Sequence, residues 1–161
     1  MTSTMFLSPS WVGAVRNALD AGPDDEALAG KLPEYWDFYH LVRGGYRSSW
    51  ALGVRDLPAE LGGGTRYLLV AWADGRVIEC RVLEQSEPVD ATYVLAADYH
   101  DWKALLEGYD ALRTVMYRKL LLEEGQLLEF FTAIYFFVES LALIAKVPTS
   151  FPTAAELPTP A

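Results

Sequence analysis

The sequence is poor in the residues that build metal sites and disulfides. Its 161 residues include one cysteine, Cys80, and two histidines. A single cysteine cannot form an internal disulfide, and three Cys and His residues cannot supply the four ligands of a structural zinc site. We therefore expect no metal and no cofactor. Cys80 lies in an alternating apolar run, where a free cysteine usually behaves as a small buried hydrophobe.

Positive charge is also scarce. The chain has 13 Lys and Arg residues against 22 Asp and Glu residues, which gives a net charge of −9. Because nucleic acids and anionic lipid surfaces attract basic proteins, this balance argues against both as partners. The opening segment MTSTMFLSPSW has no basic stretch followed by an apolar run, so it is not typical of a secretory signal. These absences predict a soluble cytoplasmic protein.

Residues 127–145, LLEFFTAIYFFVESLALIA, are apolar enough to suggest a membrane span. A transmembrane helix needs about 20 consecutive apolar residues. On a helical wheel, however, Glu129, Thr132, Glu139 and Ser140 fall within one arc of about 100°. A membrane helix needs no polar stripe of this kind. We therefore predict one long amphipathic helix and no transmembrane span.

Two apolar residues, Phe136 and Leu143, interrupt this polar stripe. They could be tolerated surface residues, or they could form the contact of a homodimer. The apolar arc of the same helix covers more than half of its circumference, which is more than packing against one sheet requires. The excess could face a second helix in an ordinary core, or it could line a cavity.

The remainder of the chain alternates short helical and strand patterns. Ser8 and Pro9 open a first helix that Gly22 ends, and a second short helix is predicted over 24–32. The aromatic segment 35–40 is ambiguous. Strand patterns follow over 47–57, on both sides of Asp74-Gly75, over 91–97 and over 117–125, with helices predicted after the caps Asp98 and Asp110. This order predicts an α+β domain with a five-stranded sheet, not a doubly wound parallel sheet.

Asp74-Gly75 favours a two-residue hairpin turn. Pairing outward from this turn sets opposite each other Trp72 and Val77, Ala71 and Ile78, Val70 and Glu79, Leu69 and Cys80, Leu68 and Arg81, and Tyr67 and Val82. This register leaves one face wholly apolar. The single domain is predicted to span 1–151, and the Pro-rich tail 152–161 is predicted to be disordered.

Asp37 and His40 form a weak catalytic candidate. Three residues apart, they would be neighbours on a helix, where a carboxylate can orient a histidine as a general base. The alternative is that both are ordinary surface residues beside an aromatic core. Nothing else in the sequence points to catalysis, so these residues do not favour an enzyme.

The segment 65–125 resembles the sterol carrier protein 2 (SCP2-like) family of lipid-binding domains, including its bacterial stand-alone members. The resemblance rests on the hairpin YLLVAWADGRVIECRV and on the segments VDATYVLAADYHDWKALLEG and DALRTVMYRKLLLEEGQL, and in matching order it extends over about residues 6–151. The positions that match the family are Asp90, Trp102, Leu105, Leu106, Gly108, Lys119, Leu120 and Gly125. One departure is Arg118, which stands where family members usually have Gly.

The resemblance implies an apolar cavity between a five-stranded sheet and its covering helices. It also implies binding and sequestration or transfer of an apolar small molecule, whether a lipid, a sterol-like or a polyketide-like compound. An enzyme acting on an apolar biosynthetic intermediate in the same cavity is the alternative. The residues expected to line the cavity are Trp102, Met116, Leu120, Phe130, Ile134, Phe137 and Leu141.

Overall fold

A computed structural model describes residues 3–152 of the chain. The predicted tail lies outside these residues, apart from Pro152. The described helices are α1 (Pro9–Ala21), α2 (Asp25–Ala29), α3 (Pro33–Gly44), α4 (Tyr99–Leu106), α5 (Ala111–Met116), α6 (Leu127–Thr132) and α7 (Ile134–Ala145). The strands are β1 (Thr4–Met5), β2 (Ser48–Arg55), β3 (Arg66–Ala73), β4 (Arg76–Val82), β5 (Tyr93–Asp98), β6 (Leu121–Glu124) and β7 (Thr149–Ser150).

Five of these strands form one mixed sheet in the order β4-β3-β2-β5-β6. β2 and β5 run parallel, and the other neighbours are antiparallel. The predicted α+β class and the five-stranded sheet are therefore confirmed. A second, two-stranded sheet joins β1 to β7 and ties the two ends of the described chain together. The sequence pattern did not predict this pair, because two-residue strands carry no periodicity.

The hairpin is present, but most of its predicted register is wrong. Trp72 does pair with Val77. Beyond this pair a β-bulge shifts the register, so Ala71 pairs with Glu79 and Val70 pairs with Cys80. Bulges add one residue to one strand and so move every later side chain by one position. The bulge leaves Ile78 57% exposed rather than in the core.

Two element boundaries also differ from the sequence prediction. The side chain of Asp98 makes no capping hydrogen bond. Instead it accepts a hydrogen bond from Nε of Arg55 at 3.1 Å. The strand predicted over 117–125 is only the four residues of β6, because α5 ends in a tight turn in which Arg118 has a left-handed backbone.

The predicted long helix is broken at Ala133 into α6 and α7. The hydroxyl of Thr132 donates a hydrogen bond to the carbonyl of Glu129 at 2.6 Å. Such local bonds from Ser and Thr compete with the helix ladder and often bend it. None of the helices between residues 3 and 152 is long and apolar enough to cross a membrane.

Helix α7 is the centre of the helical layer and packs against α1, α3, α4 and α5. The predicted exposed polar stripe is therefore wrong for α7, although Glu129 and Thr132 of α6 are exposed. Phe136 is 1% exposed, Leu143 is 9% exposed, and Ser140 is fully buried. Phe136 and Leu143 lie in the core of the monomer, so they cannot form the suggested dimer contact.

The carboxylate of Glu139 is also buried. Neighbouring side chains, rather than water, stabilise its charge. Lys31, just before α3, forms an ion pair with it. The hydroxyl of Tyr35 donates a hydrogen bond to the same oxygen at 2.5 Å. Burial and this carboxylate raise the pKa of Tyr35 above its usual range, so the phenol stays protonated and remains a donor. These contacts fasten α3 to α7, as a buried charge requires.

We expect Tyr35→Phe to lower the free energy of unfolding by about 1 kcal/mol, because it removes a charge-assisted hydrogen bond to a buried carboxylate. Chemical denaturation measures this value. The matched control is Tyr135→Phe, since Tyr135 is 50% exposed and touches Tyr35 through its ring alone. Equal stability of the two variants would contradict the role given to Glu139.

Candidate functional site

An apolar cleft of about 380 Å³ opens at the β6 edge of the sheet. It lies between the end of α5, the edge strand β6 and helix α6. Small-molecule pockets in proteins range over about 300–1,000 Å³, and the cleft falls at the lower end of that range. The site is therefore large enough for one small ligand.

Nine of the ten residues that line the cleft are apolar. Leu95, Leu120 and Phe130 are buried and form its floor, and Val115 and Leu122 are half-buried. The rim is exposed and consists of Met116, Leu121, Leu127 and Phe131. Large apolar residues on the rim are in contact with water, so a ligand that covers them lowers the free energy of the system.

Arg118 is the tenth lining residue and the one charged residue among those of the cleft that the structure describes. Its φ is 62°, a left-handed conformation. The N–H of Arg118 donates to the carbonyl of Val115, and the N–H of Lys119 donates to that of Thr114. This is the Schellman arrangement that ends a helix, and its left-handed position is usually occupied by Gly.

Three of the seven predicted lining residues, Met116, Leu120 and Phe130, come together in the cleft. Phe137 lies directly behind them, with its ring centroid 5.0 Å from that of Phe130. It is 2% exposed and contacts Trp50 on its other side, at 4.9 Å between ring centroids. Phe137 therefore supports the floor of the cleft from the core rather than lining it.

The other three predicted lining residues lie away from the cleft. Leu141 is 1% exposed within the core, and Ile134 is half-buried against that core. Trp102 and Leu120 border a gap with no room for a water molecule. The indole N–H of Trp102 donates to the carbonyl of Gly53 at 2.9 Å, so this ring is fixed by the sheet.

Sequence reasoning missed Leu95, Val115, Arg118, Leu121, Leu122, Leu127 and Phe131. Arg118 could have been found from the sequence, because it stands where SCP2-like proteins usually have Gly, just before Lys119 and Leu120. Leu127 and Phe131 could not be placed from a wheel drawn through one continuous helix. The break at Ala133 means that residues of α6 do not continue the faces of α7.

Asp37 and His40 both lie on α3 and are both exposed. In the described chain no hydrogen bond joins them, and His40 stacks edge-on against Tyr39 with ring centroids 5.2 Å apart. Neither residue lines the cleft. Within residues 3–152 no group of three or more His, Cys, Asp or Glu side chains is arranged to hold a metal ion.

A second cavity of about 430 Å³ lies at the opposite edge of the sheet, between α1 and β4. Two arginines line it, and both are engaged elsewhere. Arg16 donates to the carbonyl of Val77, and Arg81 pairs with Glu87. Cys80 also lines this cavity, and burial raises the pKa of its thiol to about 11. The thiol is thus a poor nucleophile at neutral pH, and the apolar cleft is the better candidate site.

The architecture defines a mixed α+β domain whose sheet carries an apolar cleft at one edge. Solved structures show the same fold. The crystal structure of sterol carrier protein 2 superposes with a TM-score of 0.67 at 19% identity, covering 88% of this chain and 98% of the other. The solution structure of a conserved hypothetical protein from Thermus thermophilus, described as possibly a sterol carrier protein, gives a TM-score of 0.64 at 19% identity, covering 92% and 94%.

The chain therefore has the SCP2-like fold, as its sequence resemblance predicted. No family model matches the sequence, and no curated protein matches it. At this identity the likeness establishes the fold, and any function must be argued from the cleft.

We expect Arg118→Gly to raise the free energy of unfolding by about 0.5–1 kcal/mol. Left-handed backbone costs an L-residue roughly 1–2 kcal/mol, and the greater freedom of Gly in the unfolded chain offsets part of the gain. Thermal denaturation measures the change. Arg113→Gly is the matched control, because Arg113 lies within α5, where Gly should cost about 1 kcal/mol. Destabilisation by both substitutions would show that the Arg118 backbone is not strained.

Proposed function

We propose that the protein binds a small molecule with a large apolar portion in the cleft formed by α5, β6 and α6, and so sequesters or transfers it. The observation that carries the proposal is the cleft itself: about 380 Å³, nine apolar lining residues and an exposed apolar rim. The SCP2-like fold is consistent with this use. Lipids, sterol-like and polyketide-like compounds all belong to the class of ligands that such a cleft suits.

The driving force would be the removal of apolar surface from water, at about 25 cal/mol per Å². The protein contributes apolar surface as well as the ligand, because Met116 is 61% exposed and Leu127 is 54% exposed. The buried floor adds Leu95 and Phe130. Shape and hydrophobicity alone would give broad tolerance of chain or ring systems.

Binding is favoured over catalysis by the chemistry of the lining. The lining residues that the structure describes include no carboxylate, imidazole, hydroxyl or thiol that could act as a base or nucleophile. Asp37 and His40 lie elsewhere, on the exposed part of α3. The enzyme alternative therefore has no specific observation in its favour.

Phe131→Glu tests the proposal. It places a charge on the rim, which should weaken binding of the uncharged fluorescent probe N-phenylnaphthylamine about tenfold, because a ligand that covers the carboxylate must desolvate it. Phe131 is 45% exposed, so the fold should tolerate the change. Probe fluorescence under titration gives the affinity, and thermal denaturation checks the fold.

Phe38→Glu is the matched control, since Phe38 is 49% exposed on α3 and does not line the cleft. We expect this variant to bind the probe as the parent protein does. Equal loss in both variants, or no binding of the probe, dodecanol and cholesterol to the parent at micromolar concentration, would overturn the proposed function.

A further inference from the structure

Arg118 occupies a position in the cleft where Gly would be the easier residue. Its left-handed backbone, φ 62°, ends α5 in a turn that Gly usually fills. An unfavourable backbone conformation at a cleft is a reason to ask what the side chain does. Arg118 lines the cleft together with Met116 and Leu121 on the rim, so a ligand seated on the apolar floor would have a cation beside its outer end.

The guanidinium of Arg118 is available to a ligand. No carboxylate oxygen of the described residues lies within 4.0 Å of it, although the chain has 22 acidic residues. By contrast, Arg55 pairs with Asp98 and Glu123 nearby. The acidic residue of the neighbouring helix α6, Glu129, borders a different cavity beside β2. Glu123 and Glu124 of β6 are exposed and do not line the cleft, so Arg118 is the one charged side chain among the described lining residues.

We propose that Arg118 binds the anionic headgroup of a single-chain amphiphile whose apolar chain lies in the cleft. The guanidinium offers paired N–H donors in a planar fork that matches a carboxylate or a phosphate. This inference rests on the proposed function and extends it, because it makes Arg118 the residue that selects an anion over a neutral compound of equal chain length. An apolar cleft alone would not discriminate between them.

The experiment compares three probes of one chain length: dodecanoate, dodecyl phosphate and dodecanol. Each displaces N-phenylnaphthylamine from the parent protein, and the loss of fluorescence gives its affinity. We expect the parent to bind at least one of the two anions about five- to tenfold more tightly than dodecanol, which corresponds to about 1–1.4 kcal/mol at the standard conversion. The advantage should shrink as salt is added, because an exposed charge pair is screened.

Arg118→Gln removes the charge and keeps most of the side chain. We expect it to bind all three probes with the affinity that the parent shows for dodecanol. Arg118→Lys should recover part of the preference for anions, since it restores the charge without the fork. Arg113→Gln is the matched control, because Arg113 is exposed on α5, just before the turn that holds Arg118, but does not line the cleft. It should leave every affinity unchanged.

The outcomes separate this inference from the proposed function. Preference for an anion in the parent, lost in Arg118→Gln alone, supports it, and the tighter of the two anions identifies the headgroup as carboxylate or phosphate. Equal binding of dodecanol and both anions, or a preference that persists in Arg118→Gln, overturns the role of Arg118 while the apolar cleft stands. Failure of the parent to bind any of the probes overturns both.

Discussion

The burial of helix α7 on most of its circumference is the constraint on which the structure depends. Its apolar residues pack against the aromatic side of the sheet, where Phe136 meets Trp72 and Phe137 meets Trp50, with ring centroids 5.0 and 4.9 Å apart. A helix buried in this way cannot leave a charge unpaired. Lys31 and Tyr35 accordingly hold the carboxylate of Glu139, and this fixes α3 across the outer side of α7.

The cleft exists because α6 is not a continuation of α7. The break at Ala133 lets α6 border the cleft together with the short edge strand β6, while α7 stays in the core. Phe130 and Phe137 link the two regions, since one is on the floor of the cleft and the other is in the core behind it. An apolar ligand would therefore rest on a floor that the central helix supports, which suits a site whose shape is fixed before binding.

Most features with local sequence signals were predicted well, although Asp98 makes no capping hydrogen bond, and features that depend on tertiary packing were predicted poorly. Ser8 accepts a hydrogen bond from the N–H of Trp11, as a cap should, and the turn at Asp74-Gly75 is where the dipeptide placed it. The bulge that exposes Ile78 carries no such signal, because either register leaves apolar residues on both faces. Within the site, Met116, Leu120 and Phe130 were predicted from spacing and resemblance. Leu141 was wrongly grouped with these three residues, because a helical wheel cannot show that the helix breaks between the cleft and the core.

The position of a bound ligand on the protein tests the role of the cleft most directly. The structure describes two methionines, Met5 in β1 and Met116 on the rim of the cleft. Carbon-13 methyl labels on methionine report on both sites in one NMR spectrum, and Met116→Leu identifies the signal of Met116. On titration with N-phenylnaphthylamine, we expect a saturable shift of the Met116 methyl resonance and no shift of the Met5 methyl resonance. A bound probe that shifts Met5 and leaves Met116 unchanged would contradict the role of the cleft.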